Sequence, residues 1–333
     1  TVLAAALLRG GPPPLEARWR LRAGGAVVGG PVLESTTVFV ATRSGELVAA
    51  DVETGAARWR FETGERALAA PSSAGGLVYL ATQVAGSDAG HVFGVDARTG
   101  TEQWRVVVDA PFSGRLALSG GLVLVSAGEV IALDGATGEE RWRSPAGTGA
   151  DPIAAGVGLA VVATPDGLVA LDAASGDARW SALSLAPPQV APALVEEVAV
   201  AVDGTGALVG LDAGDGSERW RVPGPGLVQP PVVAGGVVAL ATAEGVVVLD
   251  GETGERRWQA GVDGGEEGVR VDTDGARVAA TSAGRLTLLG LPGGEVVGTA
   301  GLTGEARASP AVGPGRTYVA QGEVLAAFED PPA

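Results

Sequence analysis

The chain is 333 residues long and carries 23 basic residues, all arginine, against 39 acidic ones, for a formal charge of −16. A chain this acidic lacks the basic footprint of a nucleic-acid binder. Having no cysteine, it forms no disulfide, thiolate metal site, iron–sulfur cluster or cysteine nucleophile. Lysine, methionine and asparagine are also absent, a bias against AT-rich codons that points to a GC-rich genome.

The first element is an apolar stretch, Thr1 to Leu8, followed by Arg9 and the Gly-Pro run 10–14. It reads as the remainder of an export signal or anchor, or as a loosely packed tail, so residues 1–14 are set apart as tail or linker. Next comes LEARWRLR (15–22), a short strand pattern carrying Trp19. From residue 26 onward the chain is a series of similar units. Each opens on an apolar stretch, often with proline (31–33, 192–195, 230–233), and turns at paired glycines (75–76, 120–121, 235–236). A β-rich run such as LVYLAT (77–82) or VVALAT (237–242) follows, then a polar turn and an LVALD-type strand (168–172, 246–250). The unit ends on a second turn and a tryptophan-bearing strand. That makes four short strands per unit, with no helical periodicity. The uncharged run 222–243 is long enough to span a membrane, but it holds four prolines and keeps the register of the units, so it is two strands and their connections.

The units share the pattern D-x-x-[TSD]-G-x-x-x-W. Its aspartates are Asp51, Asp96, Asp134, Asp172, Asp212 and Asp250, and its tryptophans are Trp59, Trp104, Trp142, Trp180, Trp220 and Trp258. Tryptophans recur every 38 to 45 residues. A seventh copy (290–298) has lost both residues. An eighth begins at 324–330, and its missing half is the Trp19 segment at the other end of the chain. Eight four-strand units of about 40 residues predict an all-β, eight-bladed propeller. The ring would be one domain over 15–330, with blades near 26–62, 66–107, 112–144, 150–182, 189–223, 228–262, 268–300, and 305–330 completed by 15–22. A ring closed by its first strand leaves no open edge, so removal of residues 1–22 is expected to destabilise the whole ring. The aspartates are expected to bond turn amides, and the glycines to accept positive φ. The tryptophans should pack against the neighbouring unit rather than cage a cofactor.

This repeat resembles the pyrroloquinoline-quinone (PQQ) type propeller repeat, and the resemblance covers nearly the whole chain. It implies two kinds of protein: quinoprotein dehydrogenases, and a non-catalytic group typified by BamB of outer-membrane β-barrel assembly. Similar propellers also occur in sensor ectodomains. The dehydrogenases hold calcium and quinone with carboxylates and an asparagine, often with a disulfide of adjacent cysteines. This chain has neither Asn nor Cys and lacks their length, so no cofactor is expected.

Other candidates are few. His91, the sole histidine, closes the insertion 83–91 and reads as a loop or strand-edge residue rather than a base or ligand. The acidic loop 263–274, with Asp263, Glu266, Glu267, Asp272 and Asp274, is rich in oxygen ligands for calcium but lacks EF-hand spacing. The position before each innermost strand reads Gly30, Ala70, Arg115, Pro152, Ala191, Pro230, Arg270 and Ser309. These are mostly small residues, suited to crowding at an axis. Arg115 and Arg270, four units apart, with Arg307 beside Ser309, would face the channel mouth and meet an anionic group or partner.

The resulting expectation is a non-catalytic, extracytoplasmic scaffold, probed by other proteins of an envelope complex through loops on one face. It would be periplasmic and tethered only through a segment or lipid anchor upstream of this chain. The alternatives are a ligand-binding sensor ectodomain and, third, a PQQ-dependent dehydrogenase.

Overall fold

A computed structural model describes residues 12–331, apart from 147–151, 157, 183–189, 225, 228, 265–267, 283 and 305. The described residues form 33 strands and no helix, gathered into eight antiparallel sheets. Blade one is β2 (Val27–Glu34), β3 (Thr37–Thr42), β4 (Glu46–Asp51) and β5 (Ala57–Glu62), from the axis outward. In blade two the inner strand is split into β6 (Arg66–Ala67) and β7 (Ser72–Ala74), both paired with β8 (Leu77–Gln83); β9 (Gly90–Asp96) and β10 (Glu102–Val108) complete it. Blades three to seven begin at β11 (Leu116–Ser119), β15 (Ile153–Gly156), β19 (Ala193–Val195), β23 (Val232–Ala234) and β27 (Arg270–Thr273). Their outermost strands are β14 (Glu140–Ser144), β18 (Ala178–Ala182), β22 (Glu218–Val222), β26 (Arg256–Gly261) and β30 (Val296–Gly301).

Blade eight is made from both ends of the chain. β31 (Ala311–Gly313), β32 (Arg316–Gln321) and β33 (Val324–Glu329) are followed by β1 (Ala17–Arg22), with Trp19 opposite Ala327 and Arg22 opposite Val324. The expected closure is therefore present. Each innermost strand touches that of the next blade, from β2 through β31 and back to β2.

The core is distributed between blades. Val38, Val40, Val48 and Ala50 of blade one pack on Tyr318, Leu325, Ala327 and Trp19 of blade eight, and the other blade pairs repeat the scheme. Every residue of β3, β24 (Val237–Thr242) and β16 (Leu159–Thr164) is buried. A sheet covered on both faces has no solvent side, so its central strands are continuous apolar runs rather than alternating ones.

The antiparallel order also sorts the connections. The glycine-pair turns and the Asp turns lie at one end of the ring. The hairpins joining second to third strands, and the crossings between blades, lie at the other end, where the innermost strands begin.

Candidate functional site

The repeat residues come first, because they absorb most of the chain's chemistry. Asp51 Oδ1 accepts hydrogen bonds from the Glu53 and Thr54 amides, at 3.0 and 2.9 Å, and from the Thr54 hydroxyl. The other five aspartates cap their turns alike. The turn glycines have φ near +70°, as at Gly55 and Gly138.

One partner escaped the sequence reading. The residue before each tryptophan is the extra residue of a β-bulge, since Trp59 pairs with Ala49 while Ala57 pairs with Ala50. The bulge swings Arg58, Arg141, Arg179, Arg219 and Arg257 back onto the second oxygen of the turn aspartate, with Arg58 Nη2 2.6 Å from Asp51. These guanidiniums, with the amide donors, hold Asp51, Asp134 and Asp250 at a pKa of about 2. Blade two has Gln103 at this position, and Asp96 is lowered chiefly by the Thr99 hydroxyl and amide.

The bulge also aims the tryptophan across the blade gap. Nε1 of Trp19, Trp59, Trp104, Trp142, Trp180, Trp220 and Trp258 donates to a carbonyl in the next blade's Asp turn (Val52, Ala97, Gly135, Ala173, Ala213, Gly251, Leu291), at 2.5 to 3.1 Å. Each ring lies against that turn's glycine. Both residue sets are thus engaged in holding the ring.

His91 lies on β9, opposite Thr82, rather than in the loop. Its Nδ1 is 2.9 Å from a Glu65 oxygen, and the Thr82 hydroxyl binds the same carboxylate at 2.5 Å. The acidic residues of 263–274 separate. Asp263 borders a cleft with Ser282 and Arg285 between blades six and seven. Asp272 accepts from the Val312 amide of blade eight at 2.9 Å, and Asp274 caps its own turn at the Ala276 and Arg277 amides. Glu266 and Glu267 lie outside the described residues. Among the described residues no three acidic or histidine side chains gather around a metal-sized point.

A cavity of about 740 Å³ opens at the mouth of the central channel, where the innermost strands begin. Arg115 of blade three, Arg270 of blade seven and Arg307 of blade eight all line it, between the small residues Gly30, Ala70 and Ala191. The crowding is real: a Cβ on Gly30 would stand 2.8 Å from the Ser309 carbonyl, and one on Gly29 2.6 Å from Ala70 Cβ. Gln229, buried and unremarked in the sequence, both donates to the Val271 carbonyl and accepts from its amide, and also meets the Ser309 hydroxyl at 3.5 Å. One side chain thereby links blades six, seven and eight. Asp272, on the innermost strand β27, has its carboxyl pushed up to about 6 by desolvation.

Among solved structures, BamB from Moraxella catarrhalis is similar with TM-score 0.72 and 19% identity, over 95% of this chain and 99% of that one. The computationally designed Ika8 protein gives TM-score 0.77 and 15% identity, over 94% and 99%. Quinohemoprotein alcohol dehydrogenase from Comamonas testosteroni gives 0.68 and 15%, over 96% of this chain and 78% of that one. At such identities these likenesses establish the shared fold. No curated protein matches the sequence. The family model described as outer membrane protein assembly factor BamB, however, matches residues 16–111, 88–223 and 190–331 in overlapping stretches that run through all eight blades. The chain therefore belongs to the BamB family of PQQ-type repeat propellers.

Proposed function

We propose that this propeller is a non-catalytic, extracytoplasmic protein-interaction scaffold of the cell envelope, serving outer-membrane protein assembly or another envelope complex. The observation that carries the reading is the family match along the whole ring. The site chemistry supports it. The repeated aspartates and tryptophans are bound into turns and blade contacts. Rigid blades then leave the exposed loops as the variable surface. Membrane attachment would be supplied outside the ring.

The quinoprotein reading has the fold likeness behind it. Against it stands the described part of the mouth. Its described lining offers arginines, Gln229 and Ser309, and no carboxylate to ligate calcium.

The scaffold is tested by placing a photo-reactive residue in the 84–89 hairpin, which stands at the same end as the mouth, and cross-linking in native membranes. Amine-directed reagents would find no lysine. Capture of an outer-membrane assembly component supports the proposal. Capture of none, from membranes that hold that machinery, refutes the assembly role.

A further inference from the structure

We infer that the ring has one built-in opening, the seam between blades seven and eight, and that residues 13–15 are the clasp that keeps it shut. The device is a property of the ring itself and does not depend on what the ring binds.

The first observation is a missing pin. Seven of the eight seams are crossed by a tryptophan whose Nε1 donates to a carbonyl of the next blade. Blade seven has Gly298 at that position, so no indole reaches blade eight. What crosses instead is the chain ahead of β1. The Leu15 amide donates to the Thr299 carbonyl, and the Thr299 amide donates to that of Pro13. These bonds tie the segment to the outer edge of β30. The Leu15 side chain joins Leu288, Val319 and Phe328 in the seam, and two residues later the chain enters blade eight as β1. One short stretch therefore bridges the two blades.

The second observation is the chemistry of the seam. On β28 (Arg277–Ser282), Arg277, Ala279 and Thr281 alternate onto the face that meets blade eight. Arg277 and Thr281 stand where blade six has Val237 and Ala241, both buried and apolar. Arg277 donates to the Gly313 carbonyl and pairs with Asp330 at 2.7 Å. Yet Arg277 Nε, Thr281 Oγ1 and, from blade eight, Gln321 Nε2 are buried with no hydrogen-bond partner among the described residues. A buried polar atom without a partner works against closing the seam, and the attraction within a buried ion pair is largely offset by the loss of its water. Glu34 and Arg316 carry such atoms at other seams, but those seams keep their tryptophans, Trp59 and Trp19. Local opening begins where packing stabilises least, and only here does the missing indole coincide with unpartnered polar groups. When the seam parts it bares Leu288, Val319 and Phe328, which the closed ring hides.

The test exploits a chain with no cysteine. Ala279→Cys places a single thiol inside the seam, and Ala239→Cys places one at the matching position between blades six and seven; both sites are fully buried. The folded full-length variants are labelled with an excess of a maleimide dye. Ala279→Cys is expected to react roughly tenfold faster or more than Ala239→Cys. Its rate should rise only slowly in dilute urea, since parting one seam exposes far less surface than unfolding. Adding Leu15→Ala should speed that labelling roughly threefold or more, with the shallow urea dependence kept. Tryptophan-monitored melting checks that each variant is folded. If Ala279→Cys is not, Ala326→Cys, buried on the blade-eight side of the same seam, takes its place with the same expectation. Equal rates at the two seams, or a seam rate with the steep urea dependence of global unfolding, overturns the proposal. A seam rate that Leu15→Ala leaves unchanged overturns the clasp.

Discussion

Leu15 lies over Gly298 in the place where the other blades put a tryptophan. A Cβ on Gly298 would stand 2.5 Å from Leu15 Cδ2. Gly298 holds the tryptophan position of the degraded seventh repeat, and the neighbouring Asp turn is missing because blade eight is split there. Residues 13–15, just ahead of β1, fill both gaps. The Leu15 amide donates to the Thr299 carbonyl at 2.7 Å and the Thr299 amide donates to Pro13 at 3.0 Å, so residues 13–15 run parallel to β30 before β1 begins.

Leu15→Ala should therefore cost about 2–3 kcal/mol, as for a buried leucine, measured by denaturant unfolding. Gly298→Ala should destabilise as well, by driving a methyl into Leu15. The double variant should recover part of the second loss, with a coupling above about 1 kcal/mol. Strict additivity would show that Leu15 does not stand in for the tryptophan.

Two glycines of equal φ separate backbone strain from blade packing. Gly64 (φ 74°) has nothing within 4 Å of a built Cβ, whereas at Gly100 (φ 73°) that atom would meet Trp59 Cδ2 at 2.6 Å. Gly64→Ala should cost about 1–2 kcal/mol for the left-handed conformation alone. Gly100→Ala should cost a further 1–3 kcal/mol, on the order of an overpacked core. Equal losses would remove the tryptophan from the blade contact.

Asp250 and Asp96 differ in having an arginine. Arg257 and the Thr253 amide bring Asp250 from its ordinary 3.8 down to about 2, so its contribution is full above pH 4 and fades as pH falls through 2. Asp250→Asn keeps the amide-accepting oxygen and loses the ion pair, which being largely exposed is worth less than about 1 kcal/mol. Unfolding followed from pH 7 to pH 3 should show the gap between D250N and wild type closing on acidification. Asp96→Asn, with no arginine to lose, should have the smaller effect at pH 7.

Asp272 runs the other way. Its carboxyl is raised to about 6 by burial between blades seven and eight, so the folded protein holds a proton that the unfolded chain releases near pH 4. Stability from this group is full below pH 4 and is lost as pH rises through 6. Asp272→Asn keeps an acceptor for the Val312 amide without the charge. It should be more stable than wild type at pH 8, on the order of 2 kcal/mol, and close to it at pH 4. A loss of stability at both pH values would show that the carboxylate itself is needed.

The ring was legible in the sequence because a packing repeat must recur wherever the same contact recurs. Seven of the eight positions named beside the inner strands, Arg115 and Arg270 among them, line the mouth; Pro152 does not. The bulge was missed although its residue is visible: an arginine precedes the tryptophan in five of the six full copies, and only the register shift shows that it points back to the aspartate. Gln229 and Leu15 carried no signal of this kind. Each occurs once, and each acts through residues more than 40 positions away, Gln229 at Val271 and Leu15 at Gly298. The acidic loop misled by local density: Asp263, Asp272 and Asp274 are near in sequence but face a cleft, a neighbouring blade and their own turn.

Blade eight also sets an order in time. β1 is made before every other strand of the ring, and its partner β33 after all of them. While the other seven blades are being completed, the Trp19 strand has no sheet to join, and its row of amides and carbonyls is open to any passing edge. The ring locks as a late, single event that waits on β33. A chain stalled or clipped before Val324 would keep most of its blades and still present an unfilled slot, so a folding check sensitive to exposed edges would distinguish closed rings from open ones.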